Sequence, residues 1–97
     1  MSFLMLEDFA PRLHEAFSVE IGGSNAIFTL VQVQPLPVGQ AHGMVRAPFS
    51  LIFHHAAAVV FPQRIYQMGN PAMGGFGIFL VPVARNQDGF LYQAVFN

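Results

Sequence analysis

The sequence contains no cysteine, no tryptophan and no lysine, and its basic residues are four arginines, Arg12, Arg46, Arg64 and Arg85. Without cysteine there is no disulfide framework, no thiol nucleophile and no thiolate metal ligand. Without lysine there is no Walker-type phosphate loop, no Schiff-base amine and no lysine-rich surface for nucleic acid. Charge of either sign is scarce. Five acids join the arginines, so charged residues are 9% of the 97 and the net charge is −1; ordinary soluble domains carry about 25%. Long apolar runs are missing too. Stretches such as Phe76 to Ala84 are short and broken by Gly or Pro, whereas a bilayer-spanning helix needs about 20 apolar residues. The start has no basic segment and turns acidic at Glu7. No signal peptide is expected, and the chain reads as cytoplasmic with no membrane partner.

What is present is apolar bulk. Hydrophobic residues make up 54%, with 11 Phe and 5 Met, which excludes a disordered chain. The length fits a single domain over residues 1–97. A folded monomer of this size exposes about 5,500 Å², or one charge per about 600 Å². Soluble surfaces are usually charged far more densely. So weak a charge does little to hold copies apart, and a homo-oligomer or another protein as partner is the expectation.

The first element is helical. Leu6, Phe9, Leu13 and Phe17 recur at helical spacing behind the acids Glu7 and Asp8. Pro11 fits only a first turn, so one or two turns that change character near it are predicted. Everything after Phe17 reads as strand and turn. Phe17 to Ile21 alternates, Gly22 to Asn25 turns, and Ala26 to Gln34 runs back. A long connection bounded by Pro35 and Pro48 follows, of a length that is often functional. Phe49 to His55 is the next strand, Ala56 to Pro62 a loop, Arg64 to Met68 a short strand, and Gly69 to Gly75 a turn. Phe76 to Arg85 is apolar on both faces, with Pro82 marking an edge or a bulge. Asp88-Gly89 closes the last hairpin into Phe90 to Phe96, and the C-terminus is expected to belong to the sheet. The predicted fold is mainly β: a small six-stranded antiparallel barrel or two-layer sandwich with a short N-terminal helix.

Chemistry-bearing residues do not assemble into a motif. His54 and His55 are adjacent on a strand, point to opposite faces, and so cannot readily share an ion. No serine lies in a nucleophile elbow. Ser50 and His54 share a face but stand about 13 Å apart along a strand, too far for a nucleophile and its base. The acids are accounted for by a helix start and a turn, and the glycines match no dinucleotide or phosphate fingerprint. Four scattered arginines form no basic stripe for nucleic acid. The expectation is a protein that is not an enzyme and takes no cofactor. Three features exceed plain folding needs: the loop carrying His42, Met44 and Arg46, the two-sided apolar strands, and the lack of charge on candidate edge strands, where sheets usually place blocking charges. Together they suggest strands paired or covered in an assembly. His42, Met44, Arg46, His54 and Arg85 are the candidate contact residues.

The segment Phe79-Leu80-Val81-Pro82-Val83, with Arg85, Asp88-Gly89, Tyr92 and the terminal Ala94-Val95-Phe96-Asn97, resembles a family of small bacterial proteins of unknown function. Leu6-Glu7-Asp8-Phe9 and Pro48-Phe49-Ser50-Leu51 resemble its pattern as well. The resemblance implies an assembly or accessory role, in the setting of phage-tail-like or fibre-like proteins, and carries no catalytic residue. The residues themselves also have structural readings: Tyr92 and Phe96 face the core, and Arg85 is free to pair with the C-terminal carboxylate or a nearby acid. The leading functional expectation is a non-catalytic, self-associating interaction module. The alternative is a small barrel that binds an apolar molecule among its Phe and Met side chains. A histidine-dependent metalloenzyme is the third.

Overall fold

The computed structural model describes residues 4–37 and 47–97. The chain opens with α1 (Leu6–Phe9), whose start is held by the Asp8 carboxylate accepting the Met5 N–H at 2.8 Å. Pro11 cannot donate to a helical ladder, and the chain tightens into a 3-10 turn over Ala10–Arg12. His14 then adopts a left-handed conformation (φ 72°) and its N–H donates to the Leu30 carbonyl at 2.7 Å, handing the chain to the sheet.

Six antiparallel strands follow: β1 (Ala16–Ile21), β2 (Ser24–Pro35), β3 (Phe49–His55), β4 (Arg64–Asn70), β5 (Gly74–Asn86) and β6 (Gly89–Phe96). They close into a barrel in the order β1-β2-β3-β6-β5-β4. The arrangement is two three-stranded meanders joined along β3–β6 and β1–β4. In each meander the middle strand is the longest, and each is bulged. The β2–β3 register skips Val31 between Leu30 and Gln32, and the β5–β6 register skips Val83 between Pro82 and Ala84. Bulges increase local twist and bend a strand, which lets β2 and β5 wrap far enough to meet a neighbour on both sides. Pro82 sits in such a bulge, where its missing N–H costs least. The β1–β4 seam is narrow: Ser18 pairs with Gly69 and Val19 with Met68.

The inward residues alternate along every strand. Phe17, Val19, Phe28, Leu30, Phe49, Leu51, Phe53, Tyr66, Met68, Ile78, Leu80, Tyr92 and Ala94 are buried and fill the barrel, joined by Phe9 from α1. Phe9 plugs one end, its ring 5.7–6.4 Å from those of Phe17, Phe49, Phe76 and Phe96. Phe61 covers the other, against Phe28, His55 and Tyr92. Two tyrosines pin that second plug: the Tyr92 hydroxyl accepts the Phe61 N–H at 3.0 Å, and the Tyr66 hydroxyl donates to the Pro62 carbonyl. Buried Asn70 holds the β4–β5 corner. Its amide donates to Ala16 O at 3.1 Å and to Glu15 Oε1 at 3.3 Å, and its Oδ1 accepts the Ala72 N–H at 2.8 Å.

A closed barrel therefore replaces the choice between barrel and sandwich. Closure also corrects one inference from sequence. The uncharged strands are not bare edges awaiting a partner, because each finds two neighbours within the chain. Turns are tighter than the sequence suggests: Gly22-Gly23, both at positive φ, join β1 and β2, and β4 continues to Asn70 before turning.

Candidate interaction surface

If the inward set is fixed, the outward set follows from alternation. On β4 it is Ile65, Gln67 and Gly69; on β5 it is Gly75, Gly77, Phe79 and Val81. These residues stand opposite one another, Ile65 with Phe79, Gln67 with Gly77 and Gly69 with Gly75. On β6 the outward set includes Gln93, opposite Val81, and Val95. The result is a ridge of apolar side chains on the outside of the barrel. Ile65 is 67% exposed, and Phe79 and Val95 each 50%. Among all strand residues only Glu20, Arg64 and Arg85 carry a formal charge, and the guanidinium of Arg64 lies 4.9 Å over the Tyr66 ring. Burial raises the Tyr66 phenol above its ordinary value, with Arg64 opposing and Tyr92 adding to the effect.

Beside this ridge lies a depression of about 420 Å³, lined by Ala16, Ser18, Ile27, Gly69, Asn70 and Pro71. Its floor is low because Gly69 has no side chain, and its wall is apolar because Ile27 is more than half exposed. At the same end of the barrel, α1 and the end of β2 border a second hollow of about 500 Å³, whose lining includes Leu6, Ala10, Leu13, Val33 and Leu36. The base of the 36–48 connection is tied there by the Leu36 N–H donating to the Pro48 carbonyl at 3.0 Å.

The residues singled out from sequence fall elsewhere. His42, Met44 and Arg46 lie outside the described residues. His54 points outward from β3, half-buried between Thr29 and Leu91, with its Nε2 buried and no partner among the described residues. His55 points inward, stacks on Phe28 at 4.7 Å, and meets the Ile27 carbonyl through Nδ1 at 2.8 Å. A carbonyl only accepts, so Nδ1 carries the proton. Arg85 is exposed and its guanidinium lies 5.8 Å over the Phe90 ring, at the opposite end of the barrel from the C-terminus, so it does not pair with the terminal carboxylate. The structure does not bring His54 and Arg85 together, and neither borders the apolar ridge. Ile65, Phe79 and Val95 were missed by sequence reasoning. The signal was the alternation along 64–70 and 76–81, whose phase a strand apolar on both faces does not reveal.

Among the described residues, no three His, Asp or Glu side chains are placed to hold a metal ion, and no helix is long and apolar enough to cross a membrane. The molecule is thus a small, closed antiparallel barrel with a densely aromatic interior and an apolar ridge on its outer face. The chain belongs to the family described as a domain of unknown function, DUF6916, whose model matches residues 4–96. No curated protein and no solved structure matches it.

Proposed function

We propose that this chain is a non-catalytic protein-interaction module that self-associates through the outer face of its barrel. The observation that carries the reading is the Ile65–Phe79–Val95 ridge: three large apolar side chains on adjacent strands, half or more exposed, with no acidic residue on β4, β5 or β6. Isolated apolar residues are normal on any surface. A contiguous group without charge is not, and such groups mark places where protein meets protein. Phe9 and Phe61 plug the two ends and aromatic rings pack the axis between them, which favours an outer-face role over a ligand held inside the barrel.

The test is Phe79→Glu, which sets a charge in the middle of the ridge at a half-exposed position without touching the core. The account expects wild-type protein to exceed monomer mass by light scattering at high concentration, and Phe79→Glu to remain monomeric with unchanged far-ultraviolet dichroism. A wild-type protein whose mass is that of the variant at every concentration overturns the proposal.

A further inference from the structure

A closed barrel is only as strong as its weakest seam, and one seam here differs from the rest. Ser18–Gly69 and Val19–Met68 are the two register pairs that join β1 to β4. Every other neighbouring pair of strands matches five to seven residues. Only alternate residues of an antiparallel ladder exchange both backbone bonds, so one of these two pairs is fully bonded, against about half of the seven along β3–β6. Beyond Val19 the strands part. Glu20 and Ile21 pair only with Asn25 and Ser24 on β2, and Arg64 to Gln67 pair only with β5. The packing is as thin as the ladder. On the outside Ser18 stands opposite Gly69, which has no side chain to meet it, and the depression of about 420 Å³ lies over this pairing. The β3–β6 seam, by contrast, stacks Phe49 on Phe96 with ring centroids 4.7 Å apart and sets Phe53 opposite Tyr92.

One buried side chain spans this seam. Asn70, at the end of β4, donates to Ala16 O at 3.1 Å and to Glu15 Oε1 at 3.3 Å, and Arg12 holds the same carboxylate at 3.2 Å. From this geometry we infer that the barrel opens along β1–β4 and that Asn70 is the latch. β1 leaves with β2, to which it is tied along its whole length and by the Leu30 N–H donating to the Glu15 carbonyl at 3.1 Å. β4 stays with β5, its partner over all of Arg64 to Asn70. Opening uncovers Val19 and Met68 and turns β1 and β4 into free edges, the sheet feature through which one chain pairs its backbone with another. In the closed barrel those edges face each other and are hidden. The seam is thus a gate on strand pairing. The inference concerns the single chain and does not rest on the apolar ridge.

Single thiols read the opening, because the chain has no cysteine of its own. Val19→Cys puts one in the core at the seam, and Ala94→Cys puts one in the core at β3–β6, where Ala94 pairs with Leu51. Both positions are buried. Under native conditions at low micromolar concentration, N-ethylmaleimide should modify Val19→Cys about a hundredfold faster than Ala94→Cys, since local opening is far more frequent than global unfolding. Adding Asn70→Ala should speed the reaction of Val19→Cys about tenfold more than that of Ala94→Cys. Equal rates at the two positions overturn the opening, and equal acceleration by Asn70→Ala overturns the latch. If a thiol variant does not fold, amide exchange of the wild-type protein decides. Amides bonded across β1–β4 should then exchange about a hundredfold faster than those bonded across β3–β6, and equal protection overturns the proposal. A protein that stays monomeric at every concentration removes the self-association proposed above and leaves this test unchanged.

Discussion

Gly89 begins β6 at a buried position with φ 136°. A Cβ placed there would lie 2.1 Å from the His55 carbonyl oxygen, 2.9 Å from Ala56 Cα and 3.0 Å from the His55 carbonyl carbon. All three are backbone atoms, so no side-chain rotation relieves the clash. To admit a methyl group, the end of β3 must move away from β6 by about 1 Å. That displaces the His55–Phe90 pairing and the start of the loop that carries the Phe61 plug. Backbone strain at such a φ costs about 1–3 kcal/mol, and each loosened hydrogen bond about 1 kcal/mol more. Gly89→Ala is thus expected to lose about 3–5 kcal/mol, a large part of the roughly 5–15 kcal/mol typical of a domain. Gly23 is the matched control: its φ is 83°, yet nothing stands within 4 Å of the added Cβ, so Gly23→Ala should lose only about 1 kcal/mol. Equilibrium urea unfolding of both variants, followed by tyrosine fluorescence and far-ultraviolet dichroism, measures the contrast. If Gly89→Ala costs no more than Gly23→Ala, the close approach of β6 to the His55 backbone does not constrain the fold, and the reasoning fails.

Other expectations follow from single contacts. Tyr92→Phe removes the acceptor for the Phe61 N–H, and should cost about 1–2 kcal/mol in denaturant unfolding with faster amide exchange at Phe61. Asn70→Ala abolishes the three hydrogen bonds at the β4–β5 corner and should cost about 2–3 kcal/mol; a loss below about 0.5 kcal/mol would mean water replaces them. Phe9→Ala opens one end of the barrel and should cost about 3–5 kcal/mol, as aromatic core truncations do. The Tyr66 phenol, raised above its ordinary 10.0 chiefly by burial, binds its proton more tightly folded than unfolded. Its contribution to stability is complete below that value and is lost as pH rises through the folded pKa. Tyrosinate absorbance should therefore appear later for Tyr66 than for free tyrosine, and Tyr66→Phe should flatten the alkaline fall in stability.

Much of the architecture could be read from local chemistry. Pro82 announced an edge or a bulge because a residue without an N–H has no place in a regular ladder, and the register shift between Pro82 and Ala84 makes it a bulge. Pro11 announced a change in the helical turns near it for the same reason, and the structure shows that change as a 3-10 turn over Ala10–Arg12. Phe49 to His55 and Phe90 to Phe96 showed their inward phase plainly, since each alternates toward one aromatic face. The strand 74–86 did not: Ile78 and Leu80 are as apolar as Phe79 and Val81, so composition is silent about which pair faces out. The register settles the phase by setting Ile78 opposite buried Tyr66, across a hairpin whose turn residues leave the exact pairing open. Closure was equally hidden, since it depends on the short pairing of Ser18–Val19 with Met68–Gly69. Asp88-Gly89 looked like a turn dipeptide and is one, but the stronger demand on Gly89 comes from His55, 34 positions earlier in the chain. The histidines and Arg85 drew attention as rare polar residues among apolar ones. The ridge is made of common residues in an uncommon place.

Self-association is the central claim, and sedimentation equilibrium of untagged wild-type protein tests it most directly. The expected result is a mass near 10.7 kDa at low micromolar concentration, rising toward twice that value near a millimolar and fitting a monomer–dimer equilibrium. A mass that stays at 10.7 kDa up to a millimolar would contradict the account.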